Sequence, residues 1–334
     1  MTGQSEHILV IKLGALGDII MADGALRDIR RHHPGARITV MTTPSYSALF
    51  QRCPWVDDVF LHARDSRFRL DKMLNLRRRL RSLPHIDRVY DLQQVGRTRF
   101  YCRWLFPRVD WCGDAHGCRW QIDHFDGSCF LEHIQRSLFL AGLETPCAMT
   151  GDVSWITAAP PVIERIMNAR GLRPGFALLF PGCSPEHPEK RWPHFPRLAR
   201  ELTRRGWQVA TAPGPDEMQS RQETIGIPLT KDGKALDIFE LAGALTQAAL
   251  VIGNDTGPTY LAARLGRPGL ALFGGHAPAS RSGIQYTAAF QWLERRDLAD
   301  ISLDEVIKAL EQRLTSPPSV SQNLRGGTHS DAIF

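Results

Sequence analysis

The chain has 334 residues, 43% of them hydrophobic and 23% charged, with a net charge of +6. These are ordinary globular values at a length that suits two domains, and no apolar run is long enough to span a bilayer. Seven scattered cysteines, an odd count, argue against a disulfide framework. The polar start Met1–His7 does not read as a signal peptide, so a cytoplasmic protein is expected. The basic excess alone fits anionic partners such as phosphates, acidic lipid or nucleic acid, or simply a solvated basic surface; with the motifs below taken into account, nucleic acid is not expected.

In chain order, Ile8–Lys12 is a nearly continuous apolar run, as in a strand buried on both faces. A Gly-containing turn follows, then a helix over Ile19–His33 with Ala22, Leu26 and Ile29 at helical spacing, stopped by Pro34-Gly35. Arg37–Met41, Val56–Leu61 and Arg88–Leu92 read as further strands. Between the last two, Arg77-Arg-Arg79 with Lys72 and Arg81 interleave with Leu70, Met73, Leu74 and Leu80, the pattern of an amphipathic helix with a basic face. Such a face suits an anionic membrane or a phosphorylated acceptor, and equally a solvated surface.

The rhythm pauses near Ala158–Pro161 and restarts with the strand Phe176–Phe180 and the turn Pro181-Gly182. A helix at Phe195–Arg205, a strand at Gln208–Ala212, a helix around Ile238–Thr246 and a strand at Leu250–Ile252 follow. Gly253–Gly257 reads as a loop and Pro258–Leu265 as a helix. Gly269–Phe273 is the last expected strand, and Ser302–Leu314 the last helix. The Ser-, Pro- and Gly-rich stretch 316–334 is expected to be disordered. Two doubly wound α/β halves are therefore expected, with ligands at the carboxyl ends of the strands.

Three loops carry the chemistry. Gly14-Ala-Leu-Gly17-Asp18 lies between a strand and a helix; its GxxG is not a dinucleotide fingerprint, and Asp18 suits either a helix cap or a functional carboxylate. Gly253-Asn-Asp-Thr-Gly-Pro258 precedes a helix that Asp255 or Thr256 could cap, and whose N-terminus could hold a diphosphate. Pro181-Gly-Cys-Ser184 leaves room for a ligand, and Lys190 in Lys190-Arg-Trp-Pro193 is a cation able to neutralise leaving-group charge, or a solvated surface lysine. Cys112, His116 and Cys118 lack the paired Cys-x-x-Cys spacing of structural zinc sites, so no metal is expected.

Taken in order, Gly14–Asp18, Tyr90-Asp-Leu-Gln93 with Arg97, Lys190–Pro193, Gly253–Pro258 with Leu261-Ala-Ala263, and Leu270–Gly274 resemble glycosyltransferase family 9 over roughly residues 7–312. The best-known members of that family are the heptosyltransferases of lipopolysaccharide core assembly. The resemblance implies a GT-B fold, two Rossmann-like domains facing a central cleft. Residues 1–160 would bind the acceptor and 161–315 the nucleotide sugar. It implies an ADP-sugar donor, a lipid-linked or glycan acceptor, inversion at the anomeric carbon, and neither metal nor cofactor. By the same resemblance Asp18 is the catalytic base and Lys190 contacts the donor phosphates. Asp255, Thr256 and Gly257 form the donor loop, Gly182 and Ser184 the phosphate turn, and Leu236 flanks adenine. Gly14, Gly17, Gln93 and Arg97 fall on the acceptor side.

The chain departs from the family pattern in three places. Tyr260 stands where His is usual, Asp23-Gly24 where the first helix often has Pro, and Gly275-His276 where Pro is usual. The expected reaction moves a heptose-like sugar to the inner core on lipid A, by a protein peripheral to the inner face of the cytoplasmic membrane. The alternatives are another nucleotide sugar and surface glycan, a nicotinamide-dependent oxidoreductase, or a catalytically silent nucleotide-binding protein.

Overall fold

The computed structural model describes residues 5–66, 68–157, 160–219 and 225–314. The tail expected at 316–334 lies outside the described residues. The first sheet contains β1 (His7–Ile11), β2 (Arg37–Thr42), β3 (Asp58–Leu61), β4 (Arg88–Asp91), β5 (Asp110–Gly113) and β6 (Trp120–Gln121). It is parallel throughout, in the order β3-β2-β1-β4-β5-β6. Its connections carry α1 (Leu16–Met21), α2 (Asp23–His32), α3 (Ser47–Gln51), α4 (Leu70–Arg81), α5 (Gly96–Trp104) and α6 (Phe130–Leu140).

The second sheet contains β7 (Ala177–Phe180), β8 (Val209–Thr211) and β9 (Ile227–Pro228), and β10 (Thr230–Lys231) pairs with β11 (Lys234–Ala235) as a separate hairpin. With β12 (Leu250–Asn254), β13 (Gly269–Phe273) and β14 (Phe290–Glu294) it runs β14-β13-β12-β7-β8-β9, again parallel. The helices here are α7 (Pro160–Asn168), α8 (Phe195–Arg204), α9 (Ile238–Gln247), α10 (Gly257–Arg264), α11 (Ala279–Ser282) and α12 (Leu303–Leu314). This is the expected GT-B architecture of two Rossmann-like halves.

Burial explains the continuous apolar runs. Ile8 and Val10 point into one core cluster and Leu9 and Ile11 into another, so β1 is covered on both faces. Each such fully buried side chain contributes roughly 1.5–3 kcal/mol. In both sheets the strand order reverses beside the first strand, between β1 and β4 and between β7 and β12. Those reversals are where open α/β sheets leave a crevice at the strands' carboxyl ends. The loops after β1, β7 and β12 are the three chemistry-bearing loops of the sequence.

Two expected elements differ. The helix expected over Ile19–His33 starts earlier and breaks at Ala22 into α1 and α2. Asp23 turns inward at the break, where its Oδ1 accepts from the indoles of Trp55 (3.1 Å) and Trp155 (3.0 Å) and its Oδ2 from the Asp152 amide (3.1 Å). Gly24 lies so close to the Cys147 carbonyl that a Cβ would sit 1.9 Å from its oxygen. The sheet also gains β14 beyond the strand expected to be last. Gln291, Trp292 and Glu294 are exposed on this edge strand, so it has no apolar run to announce it. At the expected pause, Pro160 and Pro161 open α7, since proline is tolerated in a helix's first turn.

Burial pushes the Asp23 carboxyl up to about 6, with the two indoles opposing. A carboxyl raised above its unfolded value stabilises fully below about pH 4, and that contribution fades as pH rises through 6. From this group alone stability should fall by about 3 kcal/mol between pH 4 and 7. Asp23→Asn keeps an acceptor for both indoles and should remove that slope. Melting curves across this range check it; equal slopes in the two proteins would show that Asp23 does not titrate as described.

Candidate active site

The loop after β1 is built tightly. Gly14 has φ +131°, and a Cβ there would meet Tyr46 at 2.8 Å and the Arg64 guanidinium at 3.0 Å, so only glycine fits. Asp18 is not the N-cap of α1. Ala15 holds that position, and Asp18, in the first turn, accepts the Ala15 amide on Oδ2 at 3.2 Å while remaining exposed. Beneath the loop Lys12 is fully buried, its Nζ donating to the Leu92 carbonyl (3.1 Å) and lying 4.4 Å from the centre of the Phe130 ring. Burial pulls the Lys12 pKa down, and the charges of Asp18 and Asp91 oppose that. Asp91 is also buried and for that reason rises to about 6, its Oδ1 accepting from the amides of Gln93 and Gln94.

The loops of the second sheet converge on Asp255. Lys190 donates to its Oδ2 at 2.8 Å, the Tyr260 hydroxyl to Oδ1 at 2.5 Å, and His276 Nε2 lies 3.1 Å from Oδ2. Burial drives the Asp255 carboxyl up, but Lys190, Tyr260 and His276 outweigh it and hold the group below the ordinary carboxylate range. Tyr260 moves the other way, well above the usual phenol, through burial and the adjacent carboxylate. Lys190 is therefore an ion-pair member rather than a solvated lysine. Asp255 does not cap α10 either. Thr256 is the N-cap residue, without a side-chain cap, and Pro258 sits in the first turn.

The two groups of loops meet. Helix α1 packs on α10, with a glycine on each helix where they approach: a Cβ on Gly17 would lie 2.7 Å from the Tyr260 ring, and one on Gly257 2.8 Å from Leu16. Asp18 and Tyr260 are close enough to interact electrostatically. The arrangement brings the exposed Asp18 carboxylate of the first half near Tyr260, which itself joins Lys190 and His276 on Asp255 in the second. If Asp18 is the base and a nucleotide the donor, as the resemblance implies, Gly17→Ala should push α1 off Tyr260 and lower kcat at least about tenfold, since small misplacements of reacting groups are costly, while leaving stabilisation by the nucleotide intact. Turnover and melting measured together check this; an unchanged kcat would mean that the α1–α10 contact does not position Asp18.

Gln93 spends its Oε1 on the Leu13 amide (2.8 Å), and Arg97 donates to the Asp65 carbonyl (2.5 Å) and towards the Tyr101 hydroxyl (3.3 Å). Both brace the loops around Gly14 and Arg64. Gly182 lies against the Glu217 carboxylate, where a Cβ would come within 1.8 Å of an oxygen, and its carbonyl accepts from Asn254 (3.2 Å). Ser184 is exposed, and Leu236 is half-buried against the core. Cys112 is buried with its thiol on the Ser137 carbonyl (3.1 Å), Cys118 turns to the Gly113 carbonyl (3.5 Å), and His116 is exposed. Burial raises the two thiols to about 12 and about 11. Among the described residues no group of three or more His, Cys, Asp or Glu could hold a metal. Sequence reasoning gave no role to His276, Glu217 or Arg64. His276 had one usable signal, its place just beyond the carboxyl end of β13.

A family model described as glycosyltransferase family 9 (heptosyltransferase) matches residues 132–309. Lipopolysaccharide heptosyltransferase 2 of Escherichia coli (strain K12) is 24% identical over 295 residues, which span 81% of this chain and 83% of that protein. A glycosyltransferase family 9 structure from Veillonella parvula DSM 2008 superposes with a TM-score of 0.75 at 20% identity, over 93% of this chain and 97% of the other. The E. coli heptosyltransferase WaaC with ADP-2-deoxy-2-fluoro heptose superposes with a TM-score of 0.68 at 17% identity, over 92% and 99%.

Proposed function

Because the chain belongs to glycosyltransferase family 9, and is therefore a glycosyltransferase, we propose that it transfers a heptose-like sugar from an ADP-sugar to a lipopolysaccharide inner-core acceptor. The donor and acceptor are those named for its relatives, ADP-heptose and lipopolysaccharide. In this reading residues 1–160 form the acceptor-binding part and 161–315 the donor-binding part. A stay at the inner face of the cytoplasmic membrane belongs to the same reading, because the acceptor is lipid-linked. No described helix is long and apolar enough to cross a membrane.

One observation carries the reading: the α1–α10 contact, which sets exposed Asp18 beside the Lys190–Asp255–Tyr260–His276 cluster. Asp18 takes the proton from the attacking acceptor hydroxyl as the hydroxyl oxygen bonds to the anomeric carbon. The bond from that carbon to the diphosphate breaks on the opposite face, which inverts the centre. The negative charge gathering on the departing ADP falls to Lys190 and the N-terminus of α10. Asp255 holds Lys190 in place and is itself held by Tyr260, which fills the position where the family's histidine is usual. Gly182, whose missing Cβ leaves room for the Glu217 carboxylate, and Ser184 line the same end of the second sheet in this reading.

The test is thermal stabilisation by ADP, GDP, UDP and NAD. A ligand at about 100 times its dissociation constant adds ~2.7 kcal/mol. Selective stabilisation by ADP is expected. Stabilisation by GDP or UDP instead would overturn the ADP-heptose donor, and stabilisation by NAD alone would overturn the nucleotide-sugar assignment.

A further inference from the structure

The basic helix α4 exposes apolar side chains on the same stripe as its charges. Its inward side, Met73, Leu76 and Leu80, packs in one cluster with Phe60 of β3 and Tyr101 of α5. Leu70, Leu74, Arg77, Arg78 and Arg81 recur at helical spacing on the outward side. Leu70 is 72% and Leu74 55% exposed, and Phe68, just before the helix, is 85% exposed. The helix therefore has a complete buried face and a second apolar patch turned to water, which surface packing does not require. Around that patch charge is one-sided. Asp71 is the one acid in α4, and it is paired with Arg69. At the end of α5, which shares the hydrophobic cluster under α4, Trp104 is exposed as well.

This face lies near the acceptor side. The loop joining β3 to α4 carries Arg64, which approaches Gly14, and Asp65, whose carbonyl is held by Arg97. The start of α4 thus sits at the same carboxyl end of the sheet as Asp18. We propose that this face docks the protein on an anionic lipid surface: Phe68, Leu70 and Leu74 enter the interface while Arg77, Arg78 and Arg81 meet headgroup phosphates. The proposal rests on the reading of a lipid-linked acceptor, whose sugar it would hold at the mouth of the cleft. Charge alone suits a lipid phosphate or a soluble phosphorylated glycan. The apolar half of the stripe favours lipid, because a hydrophilic partner gains nothing from Leu70 and Leu74.

The experiment is co-sedimentation of the full chain with phosphatidylcholine vesicles, with and without phosphatidylglycerol, over a range of salt. Wild type should sediment with the anionic vesicles, less so at high salt. The triple variant Arg77→Gln, Arg78→Gln, Arg81→Gln should bind about a hundredfold more weakly, on the order expected for three interfacial cations. The variant Leu70→Ser, Leu74→Ser keeps every charge and should also lose at least about tenfold, as two desolvated side chains imply. No binding by wild type, or undiminished binding by the leucine variant, overturns the proposal. Loss of binding only in the arginine variant, with inorganic phosphate competing fully, would assign the face to a soluble phosphate. ADP stabilisation of each protein separates the two readings. An ADP shift without vesicle binding removes the docking face alone; vesicle binding without an ADP shift removes the donor reading alone.

Discussion

Asp18→Asn should lower kcat by about 10²–10⁴-fold, the usual contribution of a positioned general base. The substitution isolates that role. The asparagine carbonyl can still accept the Ala15 amide that Asp18 Oδ2 accepts at 3.2 Å, so the first turn of α1 keeps its local hydrogen bond. Lys12 lies buried below the loop and keeps its bond to the Leu92 carbonyl. Neither the Lys190–Asp255 pair nor the N-terminus of α10 is touched, so ADP should stabilise the variant as it does the wild type. Initial rates with an ADP-sugar donor, measured beside ADP melting shifts, test both halves. Turnover near wild type in a protein that still binds ADP would remove Asp18 as the base and leave it as a helix-turn residue.

The elements most legible in the sequence are those buried on both faces. β1, β7, β12 and β13 are largely apolar runs, and all four lie where expected because burial dictates their composition. Edge strands such as β14 escape, since an exposed strand can carry Gln291 and Glu294 without cost. The break at Ala22 was hidden for another reason. It depends on Trp55, Cys147 and Trp155, residues far along the chain that gather around Asp23 and Gly24. The site divides in the same way. The candidate residues Asp18, Lys190 and Asp255 stand in local motifs that mark them in the sequence. The roles of Tyr260 and His276 follow from both reaching Asp255, a meeting of two loops that no spacing encodes. Gln93 and Arg97 each give one group to the fold's own loops, Oε1 and Nη1, a use that their motif does not announce.

Lys190→Ala should abolish most of the stabilisation by ADP, and it should also destabilise the free protein. The Asp255 side chain is largely buried, and its carboxylate would keep only the Tyr260 hydroxyl and His276 as partners. Removing one member of a buried pair costs about 3–5 kcal/mol; the two remaining donors and the partial exposure of Lys190 should bring this to about 1–3 kcal/mol. The sign of the pH dependence is a further signature. In the wild type the Asp255 carboxyl lies below its ordinary value, so its contribution is present above about pH 4 and lost as pH falls through the folded pKa. Without Lys190 burial is less opposed and the folded pKa rises, so the variant's deficit should be largest near neutrality and shrink towards pH 4. The double variant Lys190→Ala, Asp255→Asn separates scaffold from ligand. With no buried charge left unpaired, stability should recover towards wild type, whereas a lysine that contacts the donor phosphates is still missing, and the ADP shift should stay lost. If the double variant regained the full ADP shift, Lys190 would be a structural partner of Asp255, and the leaving-group role would pass to His276 and the N-terminus of α10.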